Sequence, residues 1–499
     1  MAIPKVCGIE TEYGIQVVNG DPNPIAASSV LINAYARDVA RQQTGWDFED
    51  EAPGNDARGI AREGSMPPMV ETHLVNTVLT NGARYYVDHA HPEFSSPECR
   101  DALEALRYDR AGEQIVVRSM EAADQSVHDG SRLVVYKNNS DGKGNSYGCH
   151  ENYLMDRETP FSRVVAGITP HFVTRQLFCG SGKVGSETAV HEPGAVDYQL
   201  SQRAEFFEEQ VGLETTLKRP IVNTRDEPHA DPHRYRRLHV IVGDANLAEV
   251  ATFLKLGTTS LVLAMIEDDV SGDRSLVLAD PVRAIHAVAV DRTFTQPLLM
   301  ADGSTATALA IQWELFTLAR KYAEDRGLEC LGDESIGVAV LTRWEQMLHG
   351  LETDPMTLSR QVDWVAKLQL LEAYRDRHGL AWGDPRLAAV DLQYHDLRPS
   401  RSLFARLDTE RLVDEAAVTA SVTDPPRDTR AWFRGECLKR WPASVATANW
   451  DSLVFDLGAD PLRRVPMMDP LKGTAEHVEA LLDSCASPAE LVERLSGGG

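Results

Sequence analysis

The chain has 499 residues, 25% of them charged and 43% hydrophobic, enough apolar material for a large core and a smaller satellite unit. Its formal charge of −25 excludes a general nucleic-acid binder, because phosphate backbones demand a basic footprint. The longest apolar run, residues 256–266, is short for a bilayer span and is closed by Glu267, Asp268 and Asp269. No basic segment followed by an apolar stretch and a small-residue cleavage site opens the chain, so the expectation is a cytoplasmic protein with no membrane association. Seven cysteines are scattered with no Cys-x-x-Cys pair, which favours buried thiols over disulfides or a zinc site.

In chain order, residues 5–18 predict a strand followed by a turn. Residues 44–78 are rich in Gly, Pro and charge without a sustained period, and predict a long mobile loop. Strand-like runs follow at 84–88, 132–137, 147–155 and 237–242. Between 218 and 237 lies a local basic cluster of Lys218, Arg219, Arg225, Arg234, Arg236 and Arg237. Two apolar stripes at helical spacing, Ile311/Leu315/Leu318/Tyr322 and Trp364/Val365/Leu368/Leu371, predict core helices. The paired prolines of TDPPRDTR (423–430) break the pattern, so the expected organisation is a catalytic unit over 1–424 and a small, mainly helical C-terminal unit over 425–499. Strands and helices intermix without regular β-α-β alternation. The predicted fold class is therefore α+β, an antiparallel sheet backed by helices.

No common nucleotide motif is present. GSGK at 180–183 lacks the remaining residues of a P-loop, and GKGNSYG has the wrong spacing for a dinucleotide turn. The chemistry lies instead in polar alternation within strands, where residues two apart share a face. Glu10 and Glu12 share one; so do Arg84, Tyr86 and Asp88, with Glu93 just beyond Pro92; so do Arg237 and His239. In GCHENYLM, Glu151 and Tyr153 alternate with His150 and Asn152. One such strand looks like any sheet with a wet face. Four together would repel themselves without cations. Carboxylates suit magnesium and arginine suits phosphate, so the set predicts a sheet that holds divalent metal and a nucleotide triphosphate. Asp88 stands out as a nucleophile or as a base toward water, although it could equally be a further metal ligand.

GIETEYG, NGARYYVDHAHPEFSSPEC (81–99), YGCHENYL (147–154), RPIVNTRDEPHAD with RRLHVIVGDAN, AWFRGECLKRW and ANWDSLVFDLG together resemble the Pup ligase/depupylase family across nearly the whole chain. This family is distantly similar to glutamine synthetase. The resemblance implies a curved antiparallel sheet cradle, with ATP and Mg2+ as cofactors. It makes Asp88 the catalytic aspartate, and Glu10, Glu12, Tyr86, Glu93, Glu151 and His239 metal-site residues. Arg84, Ser96, Asn152, Arg237 and Trp450 become nucleotide contacts. The implied partners are Pup, an acidic and disordered protein tag, and pupylated proteins, with a link to the bacterial proteasome. Arg225, Arg234 and Arg236 are the candidate groups for docking Pup, since they would offset the global negative charge. DHAHPE is one residue shorter than the ligase pattern around GSHPE, and segment 44–78 lies where depupylases carry an extra loop. Both features imply the amide-hydrolysing branch, which cleaves Pup from lysine and deamidates a C-terminal Gln of Pup. The alternatives are a Pup ligase, a ligase acting on free glutamate, and a non-catalytic Pup-binding adaptor.

Overall fold

The computed structural model describes residues 1–40, 44–49, 51–59, 74–126, 130–192, 194–270, 272 and 275–497. Among these residues the dominant element is one ten-stranded sheet. Its strands lie in the spatial order Tyr235–Val240, Cys149–Asp156, Cys7–Glu12, His91–Ser95, Arg84–Asp88, Asn76–Val78, Gly45–Trp46, Val445–Ala448, Ser452–Phe455 and Arg463–Pro466. Eight of the nine pairings are antiparallel; Gly45–Trp46 runs parallel to Val445–Ala448. The predicted α+β class is thus what the chain adopts, with one parallel seam in this sheet.

Alternation decides which face meets the helices. Tyr153, Met155, Leu238 and Val240 are buried in one core with Val250, Leu254 and Leu261 of the helix Glu249–Glu267. Further along the sheet, Tyr85, Val87 and Phe94 pack with Ile115 and Val116 of the 25-residue helix Ala102–Ser126. Both predicted helical stripes are present, in Ala308–Arg326 and Asp363–His378, with Ile311, Leu315, Trp364 and Leu371 buried. The apolar run expected to fall short of a membrane span lies within the 19-residue Glu249–Glu267 helix, which is long and apolar enough to cross a bilayer. Its apolar window is wholly buried inside the protein, as in a core helix.

Segment 44–78 departs from a simple loop at both ends. Gly45–Trp46 and Asn76–Val78 are sheet strands, and Trp46 and Val78 are buried with Phe433, Leu438, Val445, Leu453 and Phe455. The stretch from 60 to 73 lies outside the described residues. Beyond residue 424 the chain forms three helices, Ala431–Arg440, Ala475–Ser484 and Pro488–Gly497, and the last three sheet strands. This C-terminal part is held to the rest by Glu98. Arg430 Nε donates to Glu98 Oε1 at 2.6 Å, and Arg434 bonds both Glu98 oxygens and the carbonyl of Gly82. Burial alone would raise the Glu98 carboxyl. Arg434 and then Arg430 overcome that and hold its pKa at about 2.

Candidate active site

Residues directly opposite one another in neighbouring strands share a face. Glu10 lies opposite Ser95 and His150, Glu12 opposite Glu93, and Tyr86 opposite Glu93. Asp88 lies opposite His91, and His239 opposite Asn152. The register therefore gathers Glu10, Glu12, Arg84, Tyr86, Asp88, Glu93, His150, Asn152, Arg237 and His239 on the face away from the main helices. Two groups there bring candidate ligand atoms within 4.8 Å of one another: Glu10, His150 and His239, and Glu12, Asp88 and Glu93.

In the first group, Asn152 Nδ2 donates to Glu10 Oε1 at 2.7 Å, and Arg237 Nη1 donates to Asn152 Oδ1 at 2.6 Å. His239 Nδ1 lies 3.1 Å from both Asn152 Oδ1 and Arg237 Nη1, which leaves Nε2 for a ligand. Burial, followed by Arg237 and Arg225, pushes the His239 pKa well below its ordinary value, so the ring is neutral as a metal ligand must be. Burial would raise Glu10; His150, then Arg237 and Asn152, hold it ionised with a pKa of about 2.

The second group is crowded with acid. Glu12 is held at about 2 against its own burial by His91, by His150 and by the Gly148 amide, which donates to Glu12 Oε1 at 2.8 Å. Gly148 is required there, because a Cβ would come within 2.3 Å of His150 Nε2 and 2.6 Å of Glu12 Oε1. The Glu93 carboxyl is pushed far upward by burial, then by Asp88, Glu12 and Glu10. Carboxylates packed this closely fit an oxygen-loving divalent cation, whose charge would relieve the repulsion. Asp88 is the most open of the three, with its side chain 34% exposed.

Beside the first group opens a cavity lined among others by Glu10, Ser96, Asn152, Arg237 and Trp450. Four of the five nucleotide contacts expected from the sequence thus line one cavity. The fifth, Arg84, lies between aromatic rings instead. Its guanidinium is 4.0 Å from the Trp46 ring and 3.9 Å from that of Tyr86, and Trp46 packs edge-on against Trp450 at 5.2 Å. The Ser96 hydroxyl accepts from Ile9 N and donates to Pro97 O, so its visible work is to shape the cavity floor.

Three expectations change. Glu151 is not a metal-site residue: opposite Ile9 and Val240, it points to the helix face, is fully buried, and pairs with Arg175 at 2.7 and 2.9 Å. Its neighbour His150 takes the place on the other face. Tyr86 is a buried phenol, its pKa driven far up by burial and then by Glu93; its hydroxyl hydrogen-bonds Glu93, which makes it a support for that carboxyl and not an anionic ligand. The basic cluster is also dispersed. Arg236 is buried below the sheet, where Nη1 donates to Thr159 O and the guanidinium lies 5.5 Å from the Phe161 ring, so it cannot meet a docking partner. Arg234 is exposed but tied to Asp469 at 3.0 Å. Arg225 faces the site, and its charge depresses His239.

Two further arginines escaped the strand pattern. Arg203 and Arg219 converge on Ser146, and among the described residues neither has a carboxylate within ion-pair distance. Burial, and then the neighbouring Arg219, lowers the Arg203 pKa to about 10. Arg203 donates to the carbonyls of Ile241 and Gly243 and Arg219 to those of Thr215 and Ser146, and together the two cations make the corner of the site near Glu12 electropositive. His150 was legible in hindsight, because it shares a face with Asn152, two residues on.

The Pup-ligase protein family matches residues 5–454 of this chain. The chain is 53% identical over 509 residues to the depupylase of Acidothermus cellulolyticus, covering 99% of each. It is 50% identical to the Pup deamidase/depupylase of Mycolicibacterium smegmatis, again over 99% of each. Among solved structures it superposes on the complex between prokaryotic ubiquitin-like protein Pup and its ligase PafA, with a TM-score of 0.80 and 34% identity, over 99% of this chain and 95% of that one. It also superposes on PafA in complex with ADP, with a TM-score of 0.75 and 35% identity, over 88% of this chain and 99% of that one. With the family match spanning most of its length, and relatives at half identity aligned end to end, this chain belongs to the Pup-ligase protein family.

Proposed function

We propose that this chain is a depupylase and Pup deamidase. It hydrolyses the isopeptide bond between Pup's C-terminal glutamate side chain and a lysine, and converts a C-terminal Gln of Pup to Glu. The observation that carries the reading is the gathering of six acids and imidazoles on one sheet face, beside a cavity reached by Trp450. The relatives of higher identity are depupylases, whereas the ligase structures share the fold at lower identity.

In this reading Glu10, His150 and His239 would hold one magnesium and Glu12 with Glu93 a second, and Mg–ATP, when bound, would supply positive charge to the site. Arg237, Asn152 and Trp450, which line the cavity, are the groups that would meet the nucleotide. Arg203 and Arg219 fix an anionic group of the substrate near Glu12. Asp88, whose side chain is 34% exposed, delivers the nucleophile. It does so either by attack of its own carboxylate or by taking a proton from water, and trapping of an Asp88–Pup acyl intermediate with hydroxylamine marks the first route. Backbone and arginine donors hold the carbonyl in place for the attack. Arg225, and Arg234 at the rim, remain the basic groups offered to acidic Pup. The buried free thiols accord with a reducing, cytoplasmic setting.

The test is mass spectrometry of a Pup–lysine conjugate incubated with enzyme, Mg2+ and ATP, with nucleotide consumption followed in parallel. Many cleavages per ATP consumed are expected, because amide hydrolysis needs no phosphoryl donor. Stoichiometric ATP use with net conjugate formation would assign the chain to ligation instead.

A further inference from the structure

The strands Arg84–Asp88 and His91–Ser95 form a hairpin closed by the two residues His89 and Ala90. His89 carries φ +51°, a left-handed conformation that glycine adopts freely and that asparagine and histidine adopt more often than most side chains. The His89 side chain is 62% exposed. His89 belongs to neither cation-capable group. Yet its Nδ1 lies 2.7 Å from Asp88 Oδ2.

Asp88 needs such a partner. Glu12 and Glu93 bring carboxyl oxygens within 4.8 Å of it, and His91 lies opposite it across the hairpin. A carboxylate one-third exposed and pushed from behind has several rotamers open to it. We propose that His89 is the positioning residue for Asp88: an Nδ1–H donated to Oδ2 fixes one rotamer of the carboxylate, so that the remaining oxygen is presented to the substrate amide. The left-handed turn places the ring beside the carboxylate of the preceding residue. This inference rests on Asp88 being the reacting group.

Three variants test it: His89→Gly, His89→Asn and Asp88→Asn, each followed by thermal midpoint, nucleotide affinity, and kcat and KM on a Pup–lysine conjugate. Glycine suits the turn, so His89→Gly keeps or raises the thermal midpoint. It leaves KM and nucleotide affinity within twofold and lowers kcat at least tenfold. Asparagine tolerates the left-handed backbone and its amide can donate, so His89→Asn recovers kcat to within about threefold of the parent. A His89→Gly enzyme with parental kcat would show that the histidine is only a turn residue, and equal losses in the Gly and Asn variants would remove the hydrogen bond as the cause. Asp88→Asn distinguishes the underlying premise: if it still cleaves, Asp88 is not the reacting group, whereas an inactive Asp88→Asn beside a fully active His89→Gly refutes the positioning role alone.

Discussion

Replacing Glu151 by Gln separates the two faces of the sheet most sharply. The carboxylate is completely buried and grips Arg175 with two bonds, at 2.7 and 2.9 Å, while accepting from the Tyr153 hydroxyl. In the variant, one amide NH2 would point at a guanidinium or a phenol hydroxyl, both donors. Arg175 would keep only neutral acceptors, the Val242 and Lys255 carbonyls and the Thr259 hydroxyl. Removing one partner of a buried pair costs about 3–5 kcal/mol, and the acceptor that Gln retains places this case near the lower end, about 3 kcal/mol. With an unfolding entropy of about 2 cal/mol/K per residue, a chain of this length unfolding as one unit should lose about 3 °C in Tm. Differential scanning calorimetry reads that shift, and a magnesium titration of the cleavage rate reads the metal site. Glu151→Gln should lower Tm and leave the magnesium midpoint unchanged. Glu10→Gln, on the opposite face, should do the reverse. If Glu151→Gln moved the magnesium midpoint as far as Glu10→Gln does while Tm stayed constant, the assignment of faces would be wrong.

Asp88→Asn should retain nucleotide and Pup binding while losing at least about a thousandfold in single-turnover cleavage, as removal of a reacting group does. Trp450→Ala should weaken nucleotide binding by roughly tenfold, in line with about 1–2 kcal/mol of lost aromatic contact, as read by calorimetric titration. Arg236→Ala should lower Tm without changing KM for Pup, because its guanidinium is buried against Thr159 and Phe161. Glu98 is depressed to about 2 in the folded chain, so its contribution, of order 3 kcal/mol, is complete above its unfolded pKa near 4.5 and disappears as pH falls toward 2. Glu98→Gln should therefore flatten the loss of stability across that acidic window in urea unfolding followed by fluorescence.

Period-two alternation made most of the site readable before any coordinates. It paired Glu10 with Glu12, aligned Arg84, Tyr86 and Asp88, and joined Arg237 to His239, because a pleated strand leaves no freedom in which residues share a side. It could not say which side faces the helices when both sides of the sheet are covered. Glu151 and His150 were exchanged for that reason, although the pattern of their strand was read correctly. Arg236 and Arg237 show the same limit from the other direction: adjacent in sequence, they are separated by the thickness of the sheet. Nor could local pattern reveal Gly45–Trp46 and Asn76–Val78. Strands of two and three residues are too short to carry a period, and one of them finds its partner some 400 residues later. Arg203 and Arg219 lie at an irregular turn and a strand end, where alternation has nothing to say.

The parallel seam between Gly45–Trp46 and Val445–Ala448 bears on how the chain becomes an enzyme during synthesis. The cavity needs residues from both extremes, Gly8 and Glu10 from the beginning and Trp450 and Pro470 from near the end. A nascent chain still threaded through the ribosome therefore has the acids without the finished cavity, which closes only once the final strands have emerged and docked.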